Sequence, residues 1–412
     1  MAESKGFLDS LEELKPSKEL KNIVNEEYIF LKDFISSHSR QFNKNDDYPL
    51  LKNLDDLGRF LEFTDLIKRT ALLTNYDLVE YLKNNKIELA LAVNNKCNRG
   101  CLHCVSDSTP NGKNLEFEKI TGFSKNIIDL IDTVSFGLEG EPFDYEHNEK
   151  NLGDIISYYL NKGIKKYNIS TGGTVSNASK KALEKIKNLK NINAPEARLT
   201  YSLYPVGKSE NYEKNDKIFI EALENLLKAI PQTNIQILGD KYFKETNIQK
   251  TLEHFDRIML ENNYSRKENI AENPDINKDY IYSRNGNSTR ANFMHQINGV
   301  GRFRKVIDNK LLTLINHEVE FKEPEFRKGI ICDHLMAYKK IVIDFNGNAR
   351  FCDTMLSYNN ESIANIYEEG EQAFFEKWYN YNDLCRQHVL SNINKIMYSK
   401  GQTCLCKIKL CN

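Results

Sequence analysis

Apolar and polar positions change their rhythm along this chain, and the change divides it. Over the first 85 residues apolar side chains recur at three- and four-residue spacing. Examples are Ser10-Leu11-Glu12-Glu13-Leu14 and Leu57-Gly58-Arg59-Phe60-Leu61-Glu62-Phe63, and this period is helical. The stretch Asn43-Lys44-Asn45-Asp46-Asp47-Tyr48-Pro49 interrupts it as a loop. From residue 86 short β-like runs alternate with amphipathic segments. The runs cover Glu88 to Asn94, Thr133 to Leu138, Lys166 to Thr171, Arg198 to Tyr204, Asn234 to Leu238 and Arg257 to Glu261. Helix-like stretches lie between them at Asn126 to Ile131, Ser179 to Leu189 and Phe219 to Ile230. Such alternation predicts βαβ units and a parallel sheet. Residues 263–330 are polar and rich in Asn, and read as a linker or long loop. A strand over Tyr338 to Asp344, a turn at Asn346-Gly347-Asn348 and a return strand from Ala349 to Cys352 then predict a hairpin. Helical segments follow at 361–380 and 383–398.

The fold class expected is α/β. A partial (β/α)6 TIM-like barrel at 86–262 follows a helical extension at 1–85. The linker at 263–330 leads to an α+β domain at 331–412. In barrels and open α/β sheets the site lies at the C-terminal ends of the strands. The N-terminal extension reads as packing on the main domain, with docking of a peptide substrate as the alternative.

Composition narrows the class. With 40% hydrophobic and 28% charged residues and a net charge of −1, the chain is an ordinary globular one. No overall field draws it to nucleic acid or anionic lipid. The N-terminus lacks the apolar stretch of a signal peptide, and no apolar run is long enough to span a bilayer. A cytoplasmic location is the expectation. There the nine cysteines stay reduced, so clusters of them point to metal or catalysis.

They are clustered. Cys97, Cys101 and Cys104 follow the first β-like run with the spacing C-x3-C-x2-C, and none occurs between Cys104 and Cys332. A structural zinc site normally uses four ligands. Three thiols on one loop suit an iron–sulfur cluster with one iron left open. His103 lies between two of the cysteines, where simultaneous ligation is hindered. Zinc is the alternative.

This loop, placed after the first strand of a βα domain, resembles that of the radical S-adenosylmethionine (radical SAM) superfamily. Glu139-Gly140-Glu141-Pro142, after the second strand, is similar to the family's Gly-Gly-Glu-Pro motif, with Glu139 in place of the first Gly. The resemblance implies that the three cysteines hold a [4Fe-4S] cluster. It further implies that S-adenosylmethionine (SAM) binds the open iron, with Gly140, Glu141 and Pro142 near its methionine amino group. By position, Ser170 and Thr171 at the end of the third strand and Ser202 on the fourth are expected at its ribose or carboxylate.

Cys332, fourteen residues, Gly347, four residues and Cys352 resemble the opening of the SPASM and twitch extensions, which carry auxiliary clusters. With Cys404, Cys406 and Cys411, which depart from the full SPASM pattern, these cysteines imply one auxiliary iron–sulfur cluster; two clusters with open or non-cysteine ligands, and zinc or free thiols, are the alternatives. Cys385 reads as a core residue. The resemblance implies an enzyme that cleaves SAM reductively and modifies a peptide or protein side chain, fed by a reducing partner such as flavodoxin or ferredoxin. Two alternatives stay open. One is the same chemistry on a small molecule such as a sugar or nucleoside. The other is a cluster- or zinc-bearing regulatory protein without turnover. No residue of the sequence identifies itself as the acid–base or radical-relay group.

Overall fold

The computed structural model describes residues 82–99, 104, 106, 108–193, 196–203, 212–230, 233–238, 248–267, 272–273, 277–284, 287–294, 340–350 and 362–391. They fall into two compact units. One comprises residues 88–307 with 343–345, and the other holds the remaining segments.

The larger unit is built on a mostly parallel sheet. Its elements, in chain order, are β1 (Ile87–Leu91), α1 (Phe117–Gly122), β2 (Ile131–Phe136), β3 (Glu146–His147), β4 (Lys150–Asn151), α2 (Leu152–Asn161), β5 (Lys166–Thr171) and α3 (Asn177–Asn193). They continue with β6 (Glu196–Leu203), α4 (Tyr212–Ala229), β7 (Thr233–Leu238), α5 (Ile248–Glu261), β8 (Ser265–Lys267), β9 (Glu272–Asn273), β10 (Asn277–Arg284) and β11 (Asn287–Met294). The strand order is β1-β2-β5-β6-β7-β11-β10-β8. The β2–β5, β5–β6, β6–β7 and β7–β11 pairs are parallel. This mixed α/β architecture is consistent with a partial barrel.

The strands alternate in burial. On β5 Tyr167, Ile169 and Thr171 are buried, while Lys166, Asn168 and Ser170 are not. That period of two separates the helix-covered face from the open face. On α2 Leu152, Ile155, Ile156, Tyr159 and Leu160 are buried at helical spacing, each contributing about 1.5–3 kcal/mol of burial. A capping box starts this helix, with Asn151 Oδ1 accepting from Gly153 N and Asp154 Oδ2 accepting from Asn151 N, each at 2.9 Å. The Tyr158 and Tyr159 hydroxyls donate to the carbonyls of Thr121 and Ile120 and tie α2 to α1.

Three expectations change in this unit. Arg257 to Glu261 is not a strand but the end of α5. Phe255, Ile258 and Met259 are buried together there, at the three- and four-residue spacing of a helix face. The sixth strand of the series is β11, which lies in the segment expected to be a linker. It runs parallel to β7, with Ala291 opposite Ile235, and pairs antiparallel with β10. The Asn126 to Ile131 stretch forms only a 3-10 turn at Ile128–Leu130 before β2. Its apolar residues Ile127, Leu130 and Ile131 are all buried, so burial rather than helical period explains them.

The other unit contains β12 (Lys340–Ile343), β13 (Asn348–Arg350), β14 (Ala364–Asn365) and α6 (Ile366–Ser391). The expected hairpin turn is present, with Gly347 at φ +85°. A Cβ there would meet the Tyr367 ring at 2.2 Å, so Gly serves both the turn and the contact. The two expected C-terminal helices form one element broken at Gly370, whose φ is 82°. Phe374, Phe375 and Trp378 form its buried aromatic cluster. Residues 1–81, Cys332, Cys352, Cys404, Cys406 and Cys411 lie outside the described residues, and Cys385 falls within α6.

Candidate active site

The chain leaving β1 becomes the base of the cysteine loop. Val93 to Cys97 run beside Thr109 to Leu115. Leu115 N donates to Val93 O, Asn95 N to Lys113 O and Cys97 N to Thr109 O, at 2.9 to 3.1 Å. Cys97 and Cys104 are half-buried and neither forms a disulfide among the described residues. Cys101, Gly100 and His103 lie outside the described residues.

The turn after β2 is fastened to this base. Glu141 N donates to Lys96 O at 2.7 Å. The Asn94 amide donates to Glu141 O at 2.9 Å, and Gly140 N donates to Ser108 Oγ at 2.9 Å. Two glycines make the approach possible. Gly137 has φ +101°, and a Cβ on it would lie 2.0 Å from Ser170 O. Gly140 has φ +65°, and a Cβ there would lie 2.1 Å from Asn94 Oδ1. Glu139, the departure from the family motif, is not among the residues with positive φ. The conformations that demand glycine fall on 137 and 140, so the departure stands where the backbone makes no such demand.

Glu141 points its carboxylate inward. Thr171 Oγ1 donates to its Oε1 at 2.6 Å, Gly172 N to its Oε2 at 2.9 Å and Phe143 N to its Oε1 at 3.2 Å. The residue is 2% exposed. Burial pushes its pKa up to about 7, because removing a carboxylate from water disfavours the charged form. The hydrogen bond from Thr171 opposes the rise, and the neighbouring Asp144 adds to it. Pro142 opens the 3-10 turn Pro142–Asp144 that Glu141 caps. The buried Asp144 makes a second tie. Thr174 Oγ1 donates to its Oδ1 at 2.9 Å and Asn98 Nδ2 to its Oδ2 at 3.4 Å. The cysteine loop, the turn and the end of β5 therefore form one hydrogen-bonded assembly.

The expected contacts distribute as follows. Gly140, Glu141 and Pro142 meet the loop through backbone, and the Glu141 carboxylate is committed to β5. Thr171 is buried with its hydroxyl on Glu141, whereas Ser170 beside it is exposed. Ser202 lies next to last on β6, opposite Gln236 of β7. Away from the strand ends, Ser135 donates to Glu88 Oε1 at 2.6 Å and Asn168 to Ser135 Oγ at 3.0 Å, a polar ladder across β1, β2 and β5. The sequence reading passes over Asn94, Asn98, Ser106, Ser108 and Asp144. Asn94 carries a signal all the same, as the first polar residue after an apolar strand.

Residues 91–255 match the model described as Radical SAM superfamily. Over this stretch the chain is similar to the radical SAM superfamily. The match begins at the last residue of β1 and ends inside α5, so it spans the cysteine loop, the turn and the ends of β5 and β6. No curated protein matches the chain. The similarity to the superfamily supports an enzyme of SAM-dependent radical chemistry, with a [4Fe-4S] cluster and SAM as the cofactors it implies. The donor set fits this at the two positions described, since Cys97 and Cys104 lie outside any disulfide and part-exposed in the loop that follows β1, and clusters are held by cysteine thiolates. With Cys101 they would hold the cluster. Its chemistry when bound is transfer of one electron to the sulfonium of SAM. The protein's own share is position. Asn94 occupies the Glu141 carbonyl, Glu141 braces β5, and Asp144 anchors Asn98 within the loop. Among the described residues no helix is long and apolar enough to cross a membrane.

Proposed function

We propose that this chain cleaves SAM reductively to a 5′-deoxyadenosyl radical and uses it on a peptide or protein side chain, by crosslinking, epimerisation or oxidation. The observation that carries the cleavage reading is the attachment of the Gly140-Glu141 turn to the base of the cysteine loop through Asn94, Lys96 and Ser108. It joins the two motifs that the reaction needs side by side. The peptide reading is supported by the C-terminal cysteines. The spacing of Cys332 and Cys352 about the Gly347 turn resembles SPASM and twitch extensions, whose bearers often act on ribosomally made peptides. In this reading Cys332, Cys352, Cys404, Cys406 and Cys411 hold one auxiliary iron–sulfur cluster, and a flavodoxin or ferredoxin delivers electrons.

Anaerobic reconstitution followed by SAM and dithionite tests the reading. The expected product is 5′-deoxyadenosine, abolished by Cys97→Ala, Cys101→Ala or Cys104→Ala. An intact cubane that yields none refutes it. Cys332→Ala should spare cleavage yet remove about one cluster's worth of iron, and full iron retention refutes the auxiliary site. Mass spectrometry of short peptides encoded beside the gene tests the substrate class.

A further inference from the structure

A line of hydrogen-bonding groups connects the turn to one cysteine. Gly140 N donates to Ser108 Oγ at 2.9 Å. Ser108 Oγ lies 2.8 Å from Ser106 Oγ, and Ser106 Oγ lies 3.5 Å from Cys104 Sγ. Ser108 is 4% exposed, while Ser106 and Cys104 are half-buried.

The chemistry of the end groups fixes the direction of this line. A backbone N–H only donates, and a thiolate only accepts. With Cys104 ionised as a ligand, the Ser106 hydroxyl donates to sulfur. Its oxygen then accepts from the Ser108 hydroxyl, and the Ser108 oxygen accepts from Gly140. Each bond polarises the next in a partly dry setting.

We infer that Ser106 and Ser108 form a hydroxyl relay that donates to the Cys104 thiolate and raises the reduction potential of the cluster held there. This rests on the cluster reading above. Hydrogen bonds to ligand sulfurs are among the determinants of cluster potential. A donor stabilises the reduced state more, because that state puts more negative charge on sulfur. The relay also ties that potential to the position of the Gly140 amide, which belongs to the turn expected at the cofactor. Ser106 and Ser108 are thus tuning residues that act through Cys104.

The experiment is a redox titration of the anaerobically reconstituted full chain, following by electron paramagnetic resonance the signal that Cys97→Ala removes. Ser106→Ala should retain its iron and sulfide but favour the oxidised state about tenfold more, a potential about 59 mV lower for one electron. Ser108→Ala should move it the same way by less, and Ser106→Thr, which keeps the hydroxyl, should restore it. Equal potentials for wild type, Ser106→Ala and Ser106→Thr, all with full iron, overturn the relay. Loss of iron in both Ser106 variants also overturns it, since the residue would then be a prop of the loop. A wild-type chain that shows no Cys97-dependent signal overturns the cluster reading itself, and the relay with it.

Discussion

The Thr171 hydroxyl donates to Glu141 Oε1 across 2.6 Å, joining the last residue of β5 to the turn that follows β2. Two strand ends that are neighbours in the sheet are thereby held by one buried carboxyl group, and that group is poised near neutrality.

Its titration links stability to pH. The folded pKa lies above the ordinary carboxylate value, at about 7, so the folded chain holds a proton that the unfolded chain gives up. The stabilisation is complete below the unfolded pKa and is lost as pH rises through the folded one. At about 1.4 kcal/mol per pKa unit the loss is on the order of 3 kcal/mol. Between about pH 5.5 and about pH 8, urea unfolding of the cluster-free protein should show about 2 kcal/mol of this fall in wild type and a flatter response in Glu141→Gln. Parallel behaviour of the two proteins contradicts the assignment.

Gly140 and Gly163 both have positive φ, yet only one is hemmed in. A Cβ on Gly163 meets nothing within 4 Å, whereas one on Gly140 meets Asn94 Oδ1 at 2.1 Å. Gly163→Ala should cost about 1 kcal/mol of backbone strain and leave SAM cleavage intact. Gly140→Ala should abolish most cleavage, because the turn must leave the loop. Thermal melts and 5′-deoxyadenosine yields check both.

Asn94→Asp keeps the shape of the side chain and removes its donor. A carboxylate oxygen would then face Glu141 O, where the amide now donates at 2.9 Å. Leaving a buried acceptor facing another costs about 1–3 kcal/mol or more. The KM for SAM should rise more than about tenfold with cluster iron retained. A KM within twofold of wild type would rule out the bond as a support of the turn.

The single tryptophan of the chain reports on α6. The Phe374 ring stacks on Trp378 at 6.0 Å and 20°, and both are fully buried. Phe374→Ala should cost about 3–5 kcal/mol and shift the indole emission to the red. Emission unchanged from wild type would mean that Phe374 does not shield the ring.

The β/α rhythm was legible where strands are apolar and bounded by turns. Lys166 to Thr171 is read to the residue, and β2, β6 and β7 differ from expectation at their ends. It failed where polarity hides a strand. Arg290, Asn292 and their neighbours on β11 do not alternate in the expected way, although Asn285-Gly286 between β10 and β11 is the dipeptide of a tight hairpin. The Arg257 to Glu261 run is apolar enough for a strand, but only its spacing to Phe255 exposes the helix. At the site the motifs themselves are legible. The braces are not, because Asn94, Ser108 and Asp144 act on backbone or on residues 30 or more positions away, and no local pattern announces such partners.

The parallel course of β11 beside β7 has a practical consequence for anyone shortening this chain. A fragment ended at residue 262, after the helix where the family match stops, would carry every residue of the loop and the turn. It would also lay bare the full hydrogen-bonding edge of β7, which β11 otherwise covers. An uncovered strand edge pairs with whatever it meets, including its own copies. The hairpin of β10 and β11, though it carries neither the loop nor the turn, therefore has to stay in any fragment meant to remain unpaired.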